Sequence, residues 1–200
     1  MSEILENLFG SKAKTRIIRF FLLNPGEVFS VDDITKRNLL KSSEVRREIN
    51  NLVKIKFLTE RNKKGKKNYF ANISFPFYPE LKSLISKANV FPQCKSLKKI
   101  GSVGNVKMVL ISGVFLNYPK SKADMILAAD DVSKSKLKKL MGSLEAEIGK
   151  EIRYVLVSSE ELKYRLDMLD RFLLDFLEGP HDEVINKLPK LKRFVERIKK

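Results

Sequence analysis

Between residues 12 and 55 apolar side chains recur at three- and four-residue intervals in separate runs, and directly afterwards the period drops to two around a lysine-rich turn. This change of period fixes the order of elements, because a helix gathers positions three and four apart on one face whereas a strand gathers alternate ones. A short leading helix ends at Gly10-Ser11, and Ser11 is the expected N-cap of a helix from Lys12 to Leu23 with Ile17, Ile18, Phe21 and Leu22 inward. Asn24-Pro25-Gly26 stops it. Glu27-Val28-Phe29 reads as a brief strand, and Ser30 caps a short helix from Val31 to Arg37 that turns Ile34 inward. The polar link Leu40-Lys41-Ser42-Ser43 then leads to a third helix, from about Ser43 to Ile55, that buries Val45, Ile49, Leu52 and Val53. Phe57 to Arg61 is expected as a strand, Asn62 to Lys67 as a turn, and Asn68 to Ile73 as the return strand.

Three helices followed by a hairpin is the order of a winged helix. Its second helix, short turn and third helix form the arrangement that lays one helix in the DNA major groove while the neighbour crosses the backbone. With Val45, Ile49 and Leu52 committed to the core, the outward face carries Ser42, Ser43, Arg46, Arg47 and Asn50. Arginine matches the paired acceptors of guanine and asparagine those of adenine, while serines and N–H groups at a helix start hold phosphate. Glu44 and Glu48 lie on or beside the same face, so it is not uniformly positive. Lys63, Lys64, Lys66 and Lys67 flank Gly65 and are placed to meet a phosphate backbone or minor groove. From Lys41 to Lys67 there are ten basic residues and three acids, a net +7 that falls on the proposed contact elements. Any exposed hairpin turn collects lysines, so the weight rests on its position after the helix pair.

The whole chain of 200 residues carries a formal charge of +16, which attracts polyanions over a Debye length of about 8 Å at physiological salt. Double-stranded DNA is the leading partner class, although charge alone also suits an anionic membrane surface or a ribosome. Cys94 and His181 are the only residues of their types, which excludes a disulfide framework, cysteine metal clusters and triads built on histidine. No cofactor and no metal site are predicted. Acids at Glu3 and Glu6 stand where a secretory signal carries positive charge. The longest apolar stretch, Met108 to Tyr118, is broken by Ser112, Gly113 and Asn117 and falls short of the ~20 residues that span a bilayer. The expected location is cytoplasmic, with no membrane partner.

Phe75-Pro76-Phe77-Tyr78-Pro79 closes the first pattern, Glu80 to Lys87 reads as a linker helix, and Asn89 to Asn105 is irregular. These features divide the chain into residues 1–88 and 89–200. The second part predicts strands at Val106 to Ile111, Met125 to Ala129 and Ile152 to Val157, with a helix from Ser133 to Ile148 between the last two. Ser158 with Glu161 makes a capping box for another helix, and a further one runs from Arg171 to Leu177 before Gly179-Pro180. The tail from Lys187 to Lys200 has seven basic residues and one acid, with Leu188, Leu191, Val195 and Ile198 on one helical face. The fold class is thus α+β: a winged helix of three helices plus a β-hairpin, then a small mixed α/β domain with C-terminal helices.

Leu8-Phe9-Gly10-Ser11-Lys12, Phe21-Leu22-Leu23-Asn24-Pro25, Phe77-Tyr78-Pro79-Glu80-Leu81 and Phe176-Leu177-Glu178-Gly179-Pro180, in that order, resemble a type of two-domain prokaryotic protein. It joins a winged helix to a domain of the minimal nucleotidyltransferase superfamily. The resemblance implies a Gly-Ser turn that grips nucleotide phosphates and an Asp-x-Asp strand that holds magnesium, with a third carboxylate from a later strand. Here the first motif reads Ser112-Gly113-Val114-Phe115, with valine at the expected serine. The second reads Lys122-Ala123-Asp124, with lysine at the first aspartate, and Arg153 stands at the third acid. Cations in place of two carboxylates reverse the local field, so no catalytic residue is assigned and the domain is read as degenerate. Asp130 and Asp131 fall beyond the strand end and do not substitute, and Asp124 is expected to be a solvated strand-end acid paired with Lys122.

The resulting expectation is a non-enzymatic, DNA-binding transcriptional regulator. Its second domain serves dimerisation, sensing or partner binding, which leaves room for a homodimer and for a protein or small-molecule effector. A nucleotidyltransferase or antitoxin-like enzyme acting on a protein partner is the alternative that intact motifs would favour. A basic RNA-associated protein is another, and the lack of an evident aromatic stacking platform weighs against it.

Overall fold

The computed structural model describes residues 2–63, 65–87 and 94–188. The chain divides into two compact units, Met1–Asn89 with Gly142–Lys150, and Val90–Met141 with Glu151–Lys200.

The first unit opens with α1 (Ser2–Phe9) and α2 (Lys12–Leu23), followed by β1 (Phe29–Ser30), α3 (Val31–Asn38) and α4 (Ser42–Lys54). The strands β2 (Leu58–Lys63) and β3 (Lys66–Ala71) come next, and then α5 (Tyr78–Lys87). Ile17, Phe21 and Leu22 of α2 meet Ile34 of α3 and Val45, Ile49 and Leu52 of α4 in one core, with Phe57 and Leu58 closing it from the sheet side. Full burial of each such side chain contributes about 1.5–3 kcal/mol, which outweighs the weak intrinsic preference of an eight-residue helix such as α3. Ser11 caps α2 by accepting from Lys14 N at 3.0 Å. Ser30 and Asp33 form a reciprocal capping box at α3, and Leu39 in the left-handed region (φ 49°) ends that helix. The Arg16 guanidinium donates to Asn38 O at 2.8 Å, pinning the end of α3 to α2. Gly142–Lys150 is held to the same unit by buried Asn24, whose Nδ2 donates to Phe20 O at 2.7 Å and to Gly149 O at 2.8 Å.

The three-stranded sheet runs β1-β3-β2 and is antiparallel throughout. Its register continues to the pair Lys63↔Lys66, and Gly65 takes φ +72°. The turn expected from Asn62 to Lys67 is therefore shorter, and Lys66 and Lys67 belong to β3. Two-residue loops with positive φ match the twist of the flanking strands, which lets pairing run closer to the glycine than residue type suggests. The ladder ends at Ala71 with one further cross-strand bond, Asn72 N donating to Phe57 O at 2.9 Å, and the Asn72 side chain closes that end: its Nδ2 donates to Lys56 O and its Oδ1 accepts from Ser74 N.

The second unit begins with a 3₁₀ segment, Lys95–Ser102, before β4 (Asn105–Ile111) and a short 3₁₀ turn, Gly113–Phe115. Then come β5 (Met125–Asp130), α6 (Lys134–Ile148), β6 (Tyr154–Val157), α7 (Ser159–Asp167), α8 (Arg171–Glu178) and β7 (Asp182–Asn186). The division between the units falls inside α6. The sheet order is β6-β5-β4-β7; β5 and β6 are parallel and the other pairs antiparallel. Met108, Leu110, Ile126, Ala128 and Val157 face Leu162 of α7 and Leu173, Phe176 and Leu177 of α8. Ser158 accepts from Glu161 N and so caps α7, but the reciprocal half of the expected capping box is not formed, since the Glu161 carboxylate accepts from Arg165 instead. Strand β7 was not expected, since only Val184 and Ile185 of its five residues are apolar; it forms because β4 offers an edge for pairing. Leu188 packs half-buried against the same core, while Leu191, Val195 and Ile198 of the expected tail helix lie outside the described residues. Among the described residues no helix is long and apolar enough to cross a membrane.

Candidate nucleic-acid interface

Helix α4 puts Val45, Ile49 and Leu52 into the core, and the same 3.6-residue period exposes Ser42, Ser43, Arg46, Arg47 and Asn50. Unlike α2 and α3, α4 starts with no side-chain cap: Lys41 occupies the N-cap position without a hydrogen bond. The first N–H groups of α4 are therefore not taken up by a capping side chain, at the end where the peptide dipoles favour an anion.

A concave cleft of about 450 Å³ joins this face to the hairpin and to the start of α3. Arg46 and Asn50 of α4, Lys66 and Lys67 of β3, and Ser30 and Asp32 line it, with Ile49 and Tyr69 also contributing. Four of the residues read from sequence as contacts thus border one concavity. Ser42, Ser43 and Arg47 lie on α4 outside that lining, Lys63 ends β2, and Lys64 lies outside the described residues. Asp32 and Tyr69 carried no signal in the sequence. They arrive because β1 pairs Phe29 with Tyr69 and delivers the start of α3 to the same edge.

The electrostatics are more differentiated than a lysine count conveys. Lys67 Nζ lies 2.9 Å from Glu60 Oε1, and that hydrogen bond and charge hold its ammonium pKa above the ordinary value. Burial, then the charge of Glu60, pushes the Tyr69 phenol upward too. Glu48 is not a surface acid: it is only 3% exposed. Its Oε1 accepts from Ser11 Oγ at 3.3 Å and from the Arg47 guanidinium at 3.1 Å, and Lys14 Nζ stands 3.7 Å from Oε2. The charge of Glu48 thereby supports the start of α2 and holds back Arg47, whereas among the described residues no hydrogen bond or ion pair engages the side chains of Arg46, Asn50 or Lys66. Asp33 is also occupied: hydrogen bonds from Ser30 hold its carboxyl below the ordinary value of 3.8.

Comparisons with protein-family models, with curated protein sequences and with solved structures return no match. The chemistry of each unit stands on its own residues.

In the second unit Asp124 is fully buried, which corrects the expectation of a solvated acid paired with Lys122. Its Oδ1 accepts from Val114 N and from an Arg153 Nη, each at 3.0 Å. Its Oδ2 accepts from Arg153 N at 2.8 Å and Nε at 3.0 Å. Four N–H donors match the roughly four lone-pair sites of a carboxylate, so little acceptor capacity remains for a cation. The bond to Asp124 raises the Arg153 pKa further above its ordinary value. Lys122 instead pairs with Asp175 at 2.8 Å. Gly113, at φ +51°, lies against this carboxylate so closely that a Cβ would overlap Oδ1. Asp130 is the last residue of β5 rather than beyond its end, and its carboxylate accepts from Ser159 N and Oγ. Among the described residues no group of three His, Cys, Asp or Glu is placed to hold a metal.

Proposed function

We propose that the chain is a DNA-binding transcriptional regulator whose first unit acts as a winged helix. In this reading α3 and α4 are the helix-turn-helix, α4 enters the major groove, and the β2–β3 hairpin is the wing. The observation that carries it is the single cleft bordered by Arg46 and Asn50 of α4 and Lys66 of β3. It brings base-reading and phosphate-holding groups to one edge, beside a helix start with no side-chain cap.

The second unit is proposed as a degenerate nucleotidyltransferase-like domain retained for dimerisation, sensing or partner binding. Support comes from the Ser112-Gly113 turn after β4, and from Asp124 with both oxygens saturated by N–H donors, three of them from Arg153. A guanidinium there supplies the positive charge that a carboxylate cluster would otherwise draw from metal. The cleft of about 360 Å³ beside it, lined by Tyr118, Lys120, Phe172 and Asp175 among others, is where an effector search should begin.

Selection of bound sites from random duplex DNA, followed by titration against selected and scrambled sequences, tests the first proposal. Arg46→Ala should relax sequence choice at a cost of about 1–3 kcal/mol per lost bidentate base contact. Lys66→Ala should weaken all duplexes alike and reduce the slope of log K against log salt by about 0.9. Equal affinity of the unmutated protein for selected and scrambled sites would overturn the regulator. Transfer of label from ATP and magnesium to protein or small molecule would overturn the inactive second domain.

A further inference from the structure

Helix α6 is charged against its own dipole. Lys134, Lys136, Lys138 and Lys139 fall within its first six residues and are all exposed, while its acids, Glu145 and Glu147, sit in the last four. Cations favour a helix C-terminus and anions an N-terminus, so each group stands at the wrong end. The arrangement also sets Lys134 one turn before Lys138, and Lys136 three residues before Lys139, which adds like-charge repulsion. Helices α3 and α7 follow the rule, starting with Asp32 and Asp33 and with Glu160 and Glu161, whereas α2, which starts with Lys12 and Lys14, does not. Only Ser133 offers α6 a cap, with its Oγ 3.4 Å from Lys136 N.

A second basic segment adjoins this helix start. The 3₁₀ segment exposes Lys95, Lys98 and Lys99 and contains no acid. It runs into Val103, whose carbonyl accepts from Ser133 N at 2.9 Å, immediately before α6. Gly104 is so close to residues 130–132 that a Cβ would lie 2.8 Å from Asp130 O. At about 2 Å per residue, Lys99 and Lys98 lie about 8 and 10 Å from Val103 along the segment and Lys95 about 16 Å, so the nearer lysines of the segment stand within about one Debye length of that junction and Lys95 within about two. Among the described residues no ion pair engages Lys98, Lys99, Lys134, Lys136 or Lys138. Of the two preceding acids, Asp130 is occupied by Ser159.

We infer that this strip, formed by residues 95–99 and 134–139, is a second phosphate-contacting surface, and that its occupant is the backbone of double-stranded DNA. A concentration of positive charge that weakens the helix carrying it is explained by what it attracts, and phosphates supply the complementary charge at close spacing. The choice of DNA over other polyanions rests on the function proposed above.

The test uses the full chain and two variants, Lys134→Gln/Lys136→Gln/Lys138→Gln and Lys98→Gln/Lys99→Gln. Binding to a duplex of about 40 base pairs carrying the selected site is followed from about 50 to 200 mM salt. Each variant should lower the log K against log salt slope by about 0.9 for every lysine that meets a phosphate, leaving the preference for selected over scrambled DNA unchanged. The α6 variant should at the same time melt at a higher temperature in low salt, a gain that a misfolded protein would not show. Unchanged slopes in both variants, with Arg46→Ala still eroding sequence preference, overturn the strip and spare the α4 reading. If the unmutated protein has no sequence preference and the lysine variants lose binding, the strip stands and the α4 reading falls. Unchanged DNA slopes together with lost binding to phosphatidylserine vesicles would make the partner a membrane and overturn the assignment to DNA.

Discussion

Replacing Gly113 by alanine should cost the second unit about 2.5–4 kcal/mol, whereas replacing Gly142, which belongs to the first unit, should stabilise. At Gly113 an alanine must adopt φ +51°, a left-handed conformation worth about 1–2 kcal/mol against an L-residue. Its Cβ would also overlap Asp124 Oδ1, forcing the carboxylate away from Val114 N or the Arg153 guanidinium. A hydrogen bond to a charged group contributes about 1.5–3 kcal/mol, and the Arg153 share lies at the low end because its side chain is 55% exposed and screened by water. Gly142 lies inside α6 with nothing within 4 Å of the place an alanine methyl would take, so alanine there should stabilise by about 0.8–1 kcal/mol through helix propensity alone. The assay is urea unfolding followed by far-ultraviolet circular dichroism, since the chain has no tryptophan, with hydrogen exchange of β4 and β6 to localise the loss. A Gly113→Ala protein within about 0.5 kcal/mol of the unmutated chain would refute the claim that this glycine exists to admit the buried carboxylate, since that is the ordinary range for an inconsequential surface change.

Ser30→Ala should remove about 1 kcal/mol by uncapping α3. Because Asp33 is held below its ordinary value of 3.8, its contribution is fully present above that pH and is lost as pH falls through the lower folded value; the variant should therefore show a flatter acid limb in a pH series of thermal melts. Glu48→Gln should release Arg47 and tighten duplex binding, steepening the salt slope by up to about 0.9; an unchanged slope would show that Glu48 does not restrain Arg47. Calorimetric titration of the unmutated chain with magnesium should show no binding heat at Asp124, and a protein-specific heat abolished by Asp124→Asn would contradict the saturation of that carboxylate.

The elements most legible in the sequence were those whose partners lie close along the chain. Val45, Ile49 and Leu52 define the inner face of α4, and the exposure of Arg46, Arg47 and Asn50 follows by subtraction. The burial of Glu48 was available to the same reasoning, since it lies three residues after Val45 and four before Leu52. Its charge argued for the surface, and besides the adjacent Arg47 it is the distant start of α2, at Ser11 and Lys14, that supplies the partners that let it remain inside. Asp124 and Arg153, 29 positions apart, show the same limit more sharply. A local pattern cannot say which cation a buried acid will meet, so Lys122 was the natural choice and the wrong one. Strand β7 escaped for a related reason: its ladder is specified by β4 rather than by its own alternation.

Ser30 serves both the last rung of β1, opposite Asn68, and the cap of α3. Lys66 lies two residues beyond Asn68, or about 7 Å along the strand, so a 10° tilt of the hairpin about that rung displaces it by only about 1 Å. In the proposed complex with DNA such a short lever would leave the protein little scope to follow variations in groove width. The adjustment then falls to the duplex, and sequences that narrow or flex easily should be favoured at base pairs no side chain touches.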